Sequence, residues 1–342
     1  MSMGLRRPIE GFLLLLASGH IFEVKGLLHP PDRVVAYPKY VLDPSGDREL
    51  QGRRYRKLGS LREKMKFLKK RMGHYLVHDP VLDEVLCEPP ISDVARVLDP
   101  VEGLEELRKA GDLSELGLAA LELADEVSSR AKLGRSDVGV SGSILAGLEG
   151  PSSDIDLVFY GEKACLEAYT ALRSMREEGI TKPLDLEDLR AIFLSRSKDT
   201  KHDLASFFAR ERGKVLQGKF KGFAYSIRMV PARGPEPYGA IRFRKLGVAT
   251  VKATVADASR SIFTPCTYRL RHVELTRGMA KPSSLVSFRM RFCEHAREGE
   301  RVMARGKLEE VLGPQGPVET RLLVGGLPGD YLIPLGREAR AP

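Results

Sequence analysis

Val138-Gly139-Val140-Ser141-Gly142-Ser143-Ile144 and, after a short interval, Asp154-Ile155-Asp156-Leu157-Val158-Phe159-Tyr160 are the stretches that decide how this chain is read. The first has strand character over 138–140 and runs into a Ser-Gly-Ser loop. Residues 144–148 then read as a short helix, Gly150-Pro151-Ser152-Ser153 as a turn, and 154–160 as a second strand. Alternate side chains on a strand share a face, so Asp154 and Asp156 point the same way while Ile155 enters the core. Leu157, Val158 and Phe159 anchor the strand behind them.

That arrangement suits phosphoryl chemistry. Transfer of a nucleoside monophosphate gathers much negative charge at the alpha phosphorus, and divalent cations held by carboxylates neutralise it. Mg²⁺, or Mn²⁺ in its place, takes hard oxygen ligands, which Asp154 and Asp156 supply. Gly142 permits a tight loop and a close backbone approach to phosphate oxygens, and Ser143 adds a hydroxyl donor at a helix start.

Working outward, 114–130 places Leu116, Ala120, Leu123 and Val127 along one helical face, and helices are expected over 162–178 and 184–212, with Phe193, Phe207 and Phe208 as core candidates. Strand character resumes at Phe223. Beyond Tyr238 five strands are expected, over 241–256, 261–276, 285–292, 301–312 and 320–334, enough for a small barrel or sandwich. At the other end 21–41 reads as two strands joined by a turn, and 102–111 as a connector helix. The expected organisation is multi-domain α+β: a small α+β domain over 1–105, a core with mixed sheet and helices over 106–238, and an all-β domain, OB-like or a small barrel, over 239–342.

The segment from Gly142-Ser143 through the short helix and turn to Asp154-Ile155-Asp156-Leu157-Val158 resembles the signature of DNA polymerase beta-type nucleotidyltransferases. The match spans about 25 residues, and its order of elements carries more weight than the Asp-x-Asp alone. The resemblance implies that Gly142 and Ser143 bind nucleotide phosphates and that Asp154 and Asp156 are catalytic metal ligands. The wider chain, with His29-Pro30, Ala36-Tyr37-Pro38 and the β-rich tail, resembles a group of uncharacterised archaeal predicted nucleotidyltransferases, which implies fold and broad activity but no substrate.

One departure stands out. These enzymes generally add a third carboxylate from a neighbouring strand, and the counterpart here, 224–231, carries Arg228 where the acid is expected. Arginine cannot ligate a metal. Either Asp185 or Asp203 supplies the acid, or the strand alignment differs, or the site binds nucleotide with little or no transfer. Arg228 itself either clamps a triphosphate or points away on an exposed strand face.

The remaining residues set bounds. Of seven histidines only His74 and His78 are four apart, and Pro80 makes that stretch a strand rather than a helix presenting two ligands. Cys87, Cys165, Cys266 and Cys293 lie in no paired spacing and read as reduced thiols. The chain has 342 residues, no asparagine or tryptophan, three glutamines and 30% charged residues, a bias that fits a thermophile. No apolar stretch is long enough for a membrane-spanning helix. The run 12–17 has too short an apolar core for a secretory leader and reads as a buried helix or strand, so a cytoplasmic protein without a membrane partner is expected.

A net charge of +9 attracts nucleoside triphosphates and nucleic acid. The densest basic stretch, 53–71, puts Leu61, Met65, Leu68 and Met72 on an inner stripe, leaving its bases on a solvated face or against nucleic acid. The leading expectation is a metal-dependent nucleotidyltransferase whose acceptor is an RNA end, a protein side chain or a small hydroxyl compound. The alternative is a nucleic-acid-binding or regulatory protein with a degenerate core, in which Arg242, Arg244 and Lys245 contact phosphates while Phe243 and Tyr268 stack on bases.

Overall fold

A computed structural model describes residues 7–196, 204–234 and 236–337. It is mixed α+β, and the chain divides into two compact units. The first comprises 1–79, 84–181 and 219–238, and the second 80–83, 182–218 and 239–342.

The first unit opens with β1 (Leu13–Leu16), β2 (Ile21–Val24), β3 (Ala36–Leu42), β4 (Arg48–Leu50) and β5 (Arg53–Lys57). The run of leucines at the start is a strand: Leu14 and Leu16 join one apolar cluster, while Leu13 and Leu15 join another. A strand buried on both faces needs such an unbroken apolar run. Helix α1 (Leu61–Arg71) follows, its start fixed by a capping box in which Ser60 accepts from the Glu63 N–H and Glu63 reaches back to Ser60. Leu68 and Met72 are buried and Met65 half-buried, so the expected inner stripe packs inward and the bases other than Lys64 face solvent.

A hairpin of β6 (Leu76–Asp79) and β7 (Glu84–Cys87) follows, placing His78 on a strand, and then β8 (Val94–Leu98). The sheet runs β4-β5-β3-β2-β1-β8, antiparallel throughout. Asp79, at the turn end of β6, and Glu88, just past β7, are both buried, and Tyr238 donates to Asp79 at 3.0 Å. Burial, and then the neighbouring Asp79, push the Glu88 carboxyl up to about 8. Its folded value lies above the unfolded one, so its contribution to stability is complete below about 4.5 and is lost as pH rises to about 8. Melting curves at pH 5 and pH 8 should show this decline, and Glu88→Gln should flatten it; an unchanged pH dependence in the variant would refute the assignment.

Helix α2 (Pro100–Lys109) is capped by Asp99, and α3 (Glu115–Ala131) by Ser114. Leu116, Ala120, Leu123 and Val127 of α3 are all buried, as their spacing requires. Next come β9 (Val138–Val140), the five-residue α4 (Gly142–Ala146), β10 (Ile155–Tyr160) and α5 (Glu162–Glu177). Helices α6 (Leu186–Arg196) and α7 (Leu204–Arg212) precede β11 (Gln217–Phe220) and β12 (Phe223–Val230). The second sheet runs β11-β12-β10-β9, with β10 parallel to β12 and antiparallel to β9. Val158, Tyr160 and Val230 share an apolar cluster with Leu14, Phe22 and Leu68, so one face of this sheet packs on the six-stranded sheet. Ile155, Leu157 and Phe159 alternate to the other face, where α3 and α5 lie.

In the second unit, Glu211 of α7 is fully buried between Lys214 and Arg196, at 2.7 and 3.0 Å. Burial works to raise its carboxyl, but the two cations override it and hold the group at about 2. Phe193 of α6 packs edge-on against Phe207. The β-rich part comprises β13 (Arg242–Asp257), β14 (Cys266–Arg277), β15 (Ser284–Ser287), β16 (Glu300–Gly313), β17 (Gly316–Leu323) and β18 (Tyr331–Arg337). The span 320–334, expected as one strand, belongs to two: Asp330 accepts from the N–H groups of Gly325 and Leu327 and folds the intervening glycine-rich segment into a turn. The span 285–292 also stops early, at Ser287. Because β13 pairs with both β14 and β16, the order β13-β14-β15-β17-β16 closes on itself, with β15 and β17 parallel. Cys266 and Cys293, distant in sequence, meet inside this unit: burial and the facing Cys293 thiol push Cys266 well above the usual thiol range.

Candidate functional site

Asp154 lies one residue before β10 and Asp156 is its second residue; both are half-exposed and flank the buried Ile155. They stand at the end of the sheet face that, further along the strand, is closed by Val158 and Tyr160 against the six-stranded sheet. Gly142 lies directly against Asp156. Its φ of +65° is left-handed, and a Cβ placed there would overlap Oδ2 of Asp156 and come within 2.8 Å of its Cγ. Glycine is therefore required both for its backbone conformation and for the room it leaves.

The loop is tied down on both sides. The Ser141 N–H donates to the Asp156 carbonyl at 2.8 Å, and the Ser141 hydroxyl to the Gly11 carbonyl at 2.7 Å. Ser143 is buried, with its hydroxyl donating to Ser153 at 3.0 Å; Ser153 also accepts from the Gly150 N–H and from Arg48. The Arg48 guanidinium donates to the Leu148 carbonyl as well, so β4 fixes the turn before Asp154.

In the parallel register Ser226 stands beside Asp156 and Arg228 beside Val158. The position next to the acid pair is thus a serine, whose hydroxyl donates to Asp156 Oδ1 at 2.6 Å. No group of three metal-ligating side chains occurs among the described residues. Asp185 caps α6, accepting from the Asp188 N–H at 2.9 Å, and belongs to the second unit. Asp203 lies outside the described residues.

Arg228 is only partly exposed, its side chain 16% accessible, and it does not stand free. Its guanidinium meets Glu10 at 2.6 Å and Glu23 at 3.5 Å, and Glu10 is fully buried. Glu23 also joins Lys25, Lys39 and Lys64 at 2.9, 3.4 and 3.7 Å. Burial alone would raise the Glu23 carboxyl, but these four cations hold it well below the usual range. Burial would likewise lower Lys39; Glu23 first and Asp156 second keep it protonated.

The electrostatics of the acid pair follow. Asp154 is raised above the ordinary aspartate value by burial and then by Asp156, while Lys57 and Lys39 offset part of the rise. Two carboxylates so placed repel one another, a repulsion that a divalent cation relieves. Tyr40, fully buried and within electrostatic reach of Lys39, Asp156 and Arg48, has a hydroxyl with no partner among the described residues.

Sequence reasoning did not reach Lys39, Tyr40, Arg48, Lys57, Ser153 or Ser226 as parts of this site. Only Ser226 carried a signal, two residues before Arg228 on the same side of its strand. In the second unit Tyr268, expected to stack on bases, is 1% exposed and donates to the Phe292 carbonyl at 2.6 Å. It is a core residue. Phe243 has the Arg321 guanidinium 4.2 Å from its ring centroid.

Compared with known proteins, the chain is 28% identical over 322 residues to an uncharacterized protein of Methanocaldococcus jannaschii, an alignment covering 90% of this chain and 92% of that protein. No family model and no solved structure matches. No helix among the described residues is long and apolar enough to cross a membrane.

Proposed function

We propose that this chain is a metal-dependent nucleotidyltransferase with a core of the DNA polymerase beta type, transferring a nucleoside monophosphate from a nucleoside triphosphate to an acceptor hydroxyl. The observation that carries the reading is the pair Asp154 and Asp156 at the open end of β10, with Asp156 lodged against Gly142. The donor set suits one divalent cation, because Mg²⁺ is commonly held by one or two carboxylates, with phosphate oxygens and water completing its shell. Asp154 and Asp156 would hold Mg²⁺ or Mn²⁺, which supplies charge neutralisation at the triphosphate when bound.

The chain's own residues do the rest. Ser226 fixes one oxygen of Asp156 and leaves the other beside Gly142. Lys39 and Lys57 supply positive charge next to the acids, where a polyphosphate needs it.

Asp154→Ala and Asp156→Ala should each reduce metal-dependent turnover of labelled nucleotide by on the order of 100-fold or more. Mn²⁺ should raise the melting temperature of the wild type and of neither variant. Undiminished turnover in both variants would sink the proposal.

A second reading is favoured by the serine at the third-acid position and by the closed β13-β14-β15-β17-β16 ring, a five-strand closure that suits an oligonucleotide-binding barrel. In it, the second unit holds nucleic acid and the acid pair is regulatory. Salt-sensitive RNA binding that weakens on substitution of Arg242 and Arg244, without metal-dependent turnover, distinguishes it from the first.

A further inference from the structure

Helix α1 is held in place by one face and leaves the other unexplained. Leu68 and Met72 are buried, whereas Arg62, Lys66, Lys69, Lys70 and Arg71 are exposed and form no ion pair among the described residues. The only acid of the helix, Glu63, is consumed by the capping box. Several cations elsewhere in the same unit are matched: Arg108 meets Asp125 and Glu105, Arg130 meets Glu126 and Glu178, and Lys163 lies 3.8 Å from Glu167.

The helix macrodipole accounts for cations in the last turn, but Arg62 sits in the first turn, where positive charge is unfavourable. Arg62, Lys66 and Lys70 recur every four residues and repel one another along one row, which costs the helix stability without a compensating ion pair among the described residues. An uncompensated cationic face maintained against both effects points to an anionic occupant. Lys64, on another flank of the same helix, is largely buried and neutralised by Glu23, so it is not part of this exposed row.

Aromatic side chains do not stand on this face to stack on unpaired bases. Tyr55 is buried, and Phe67 packs edge-on against His20 with ring centroids 5.2 Å apart. Single strands are held largely by such stacking, whereas duplexes are held by cations on their phosphates. We propose that the exposed face of α1 is a docking surface for the phosphate backbone of a base-paired nucleic-acid stem. The proposal does not depend on turnover at Asp154 and Asp156.

The test measures binding of a labelled RNA hairpin, and of the DNA hairpin of the same sequence, to the full chain over a range of salt. The triple variant Arg62→Gln, Lys66→Gln, Lys70→Gln keeps residues of good helix propensity and should remain folded. It should bind about tenfold or more weakly, with the slope of log affinity against log salt reduced by about three. A charge-matched control with Lys109→Gln, Lys163→Gln and Arg173→Gln should bind within about twofold of wild type. Asp154→Ala should bind the hairpin as wild type does, so failure of docking and failure of the active-site reading are read separately. The proposal is overturned if wild type binds neither hairpin, if the α1 triple variant binds as wild type does, or if phosphatidylserine vesicles are bound and hairpins are not.

Discussion

Arg228→Met should lower the stability of the folded chain by about 3–5 kcal/mol, the usual cost of leaving one member of a buried ion pair alone. Glu10 is fully buried, with one oxygen on Arg228 at 2.6 Å and the other accepting from the Gly26 N–H at 2.6 Å. Lys25 remains 3.5 Å from the same Glu10 oxygen and offsets part of the exposed charge, which places the loss toward the lower end of that range. Methionine preserves most of the volume, so packing loss contributes little and the stranded carboxylate dominates. Adding Glu10→Gln to Arg228→Met removes the stranded charge and should recover a large part of the loss, because a buried pair contributes far less net stability than either member alone appears to. Denaturant unfolding of both single variants and the double variant gives the coupling. Additive effects, or a loss below about 1 kcal/mol for Arg228→Met, would mean that the network is not what closes this face.

The same residue marks where sequence could and could not be read. Period-two alternation placed Asp154 and Asp156 on one side of Ile155, because that relation lies within three residues of a single strand. It placed Arg228 on β12 but could not say what covers it. On the strand it follows Ser226 by two and shares a face with Val230, and that face is covered by β1 and β2, more than 200 residues away in sequence. An isolated strand offers only the choice between reaching the ligand and reaching solvent; burial against Glu10 becomes visible once the sheets are stacked. Ser226 was passed over for a related reason. Its position beside Asp156 is fixed by the β10–β12 register, which the intervening helices leave undetermined.

Periodicity served best where one face is apolar along a whole element, as in α3, and less well in the second unit. There Gly325, Gly326 and Gly329 make a turn anchored by Asp330, and strand-forming residues on both sides masked the break between β17 and β18. Tyr268 illustrates a further limit. An aromatic within a charged strand can stack on a ligand or fill the core, and pattern alone does not separate the two.

Gly142→Ala is the substitution that should damage the candidate site most for the least change in composition. Two costs combine. An alanine at φ +65° carries on the order of 1–2 kcal/mol of backbone strain, and its methyl would overlap the Asp156 carboxylate, with Cγ at 2.8 Å and Cβ at 2.9 Å. Asp156 has little freedom to yield: its neighbours Ile155 and Leu157 are buried, its carbonyl accepts from Ser141, and Ser226 holds Oδ1. Gly147 separates the two contributions. Its φ of +64° imposes the same backbone strain, but the nearest atom to an added Cβ is Leu50 Cδ1 at 3.3 Å, far from the acids. Both variants should therefore lose about 1–2 kcal/mol from strain, while only Gly142→Ala loses the Mn²⁺-dependent rise in melting temperature and, under the proposed function, nucleotide turnover by on the order of 100-fold. Equal metal responses in the two variants would show that Asp156 can move aside, and that the contact between Gly142 and the acid pair is packing rather than part of a cation site.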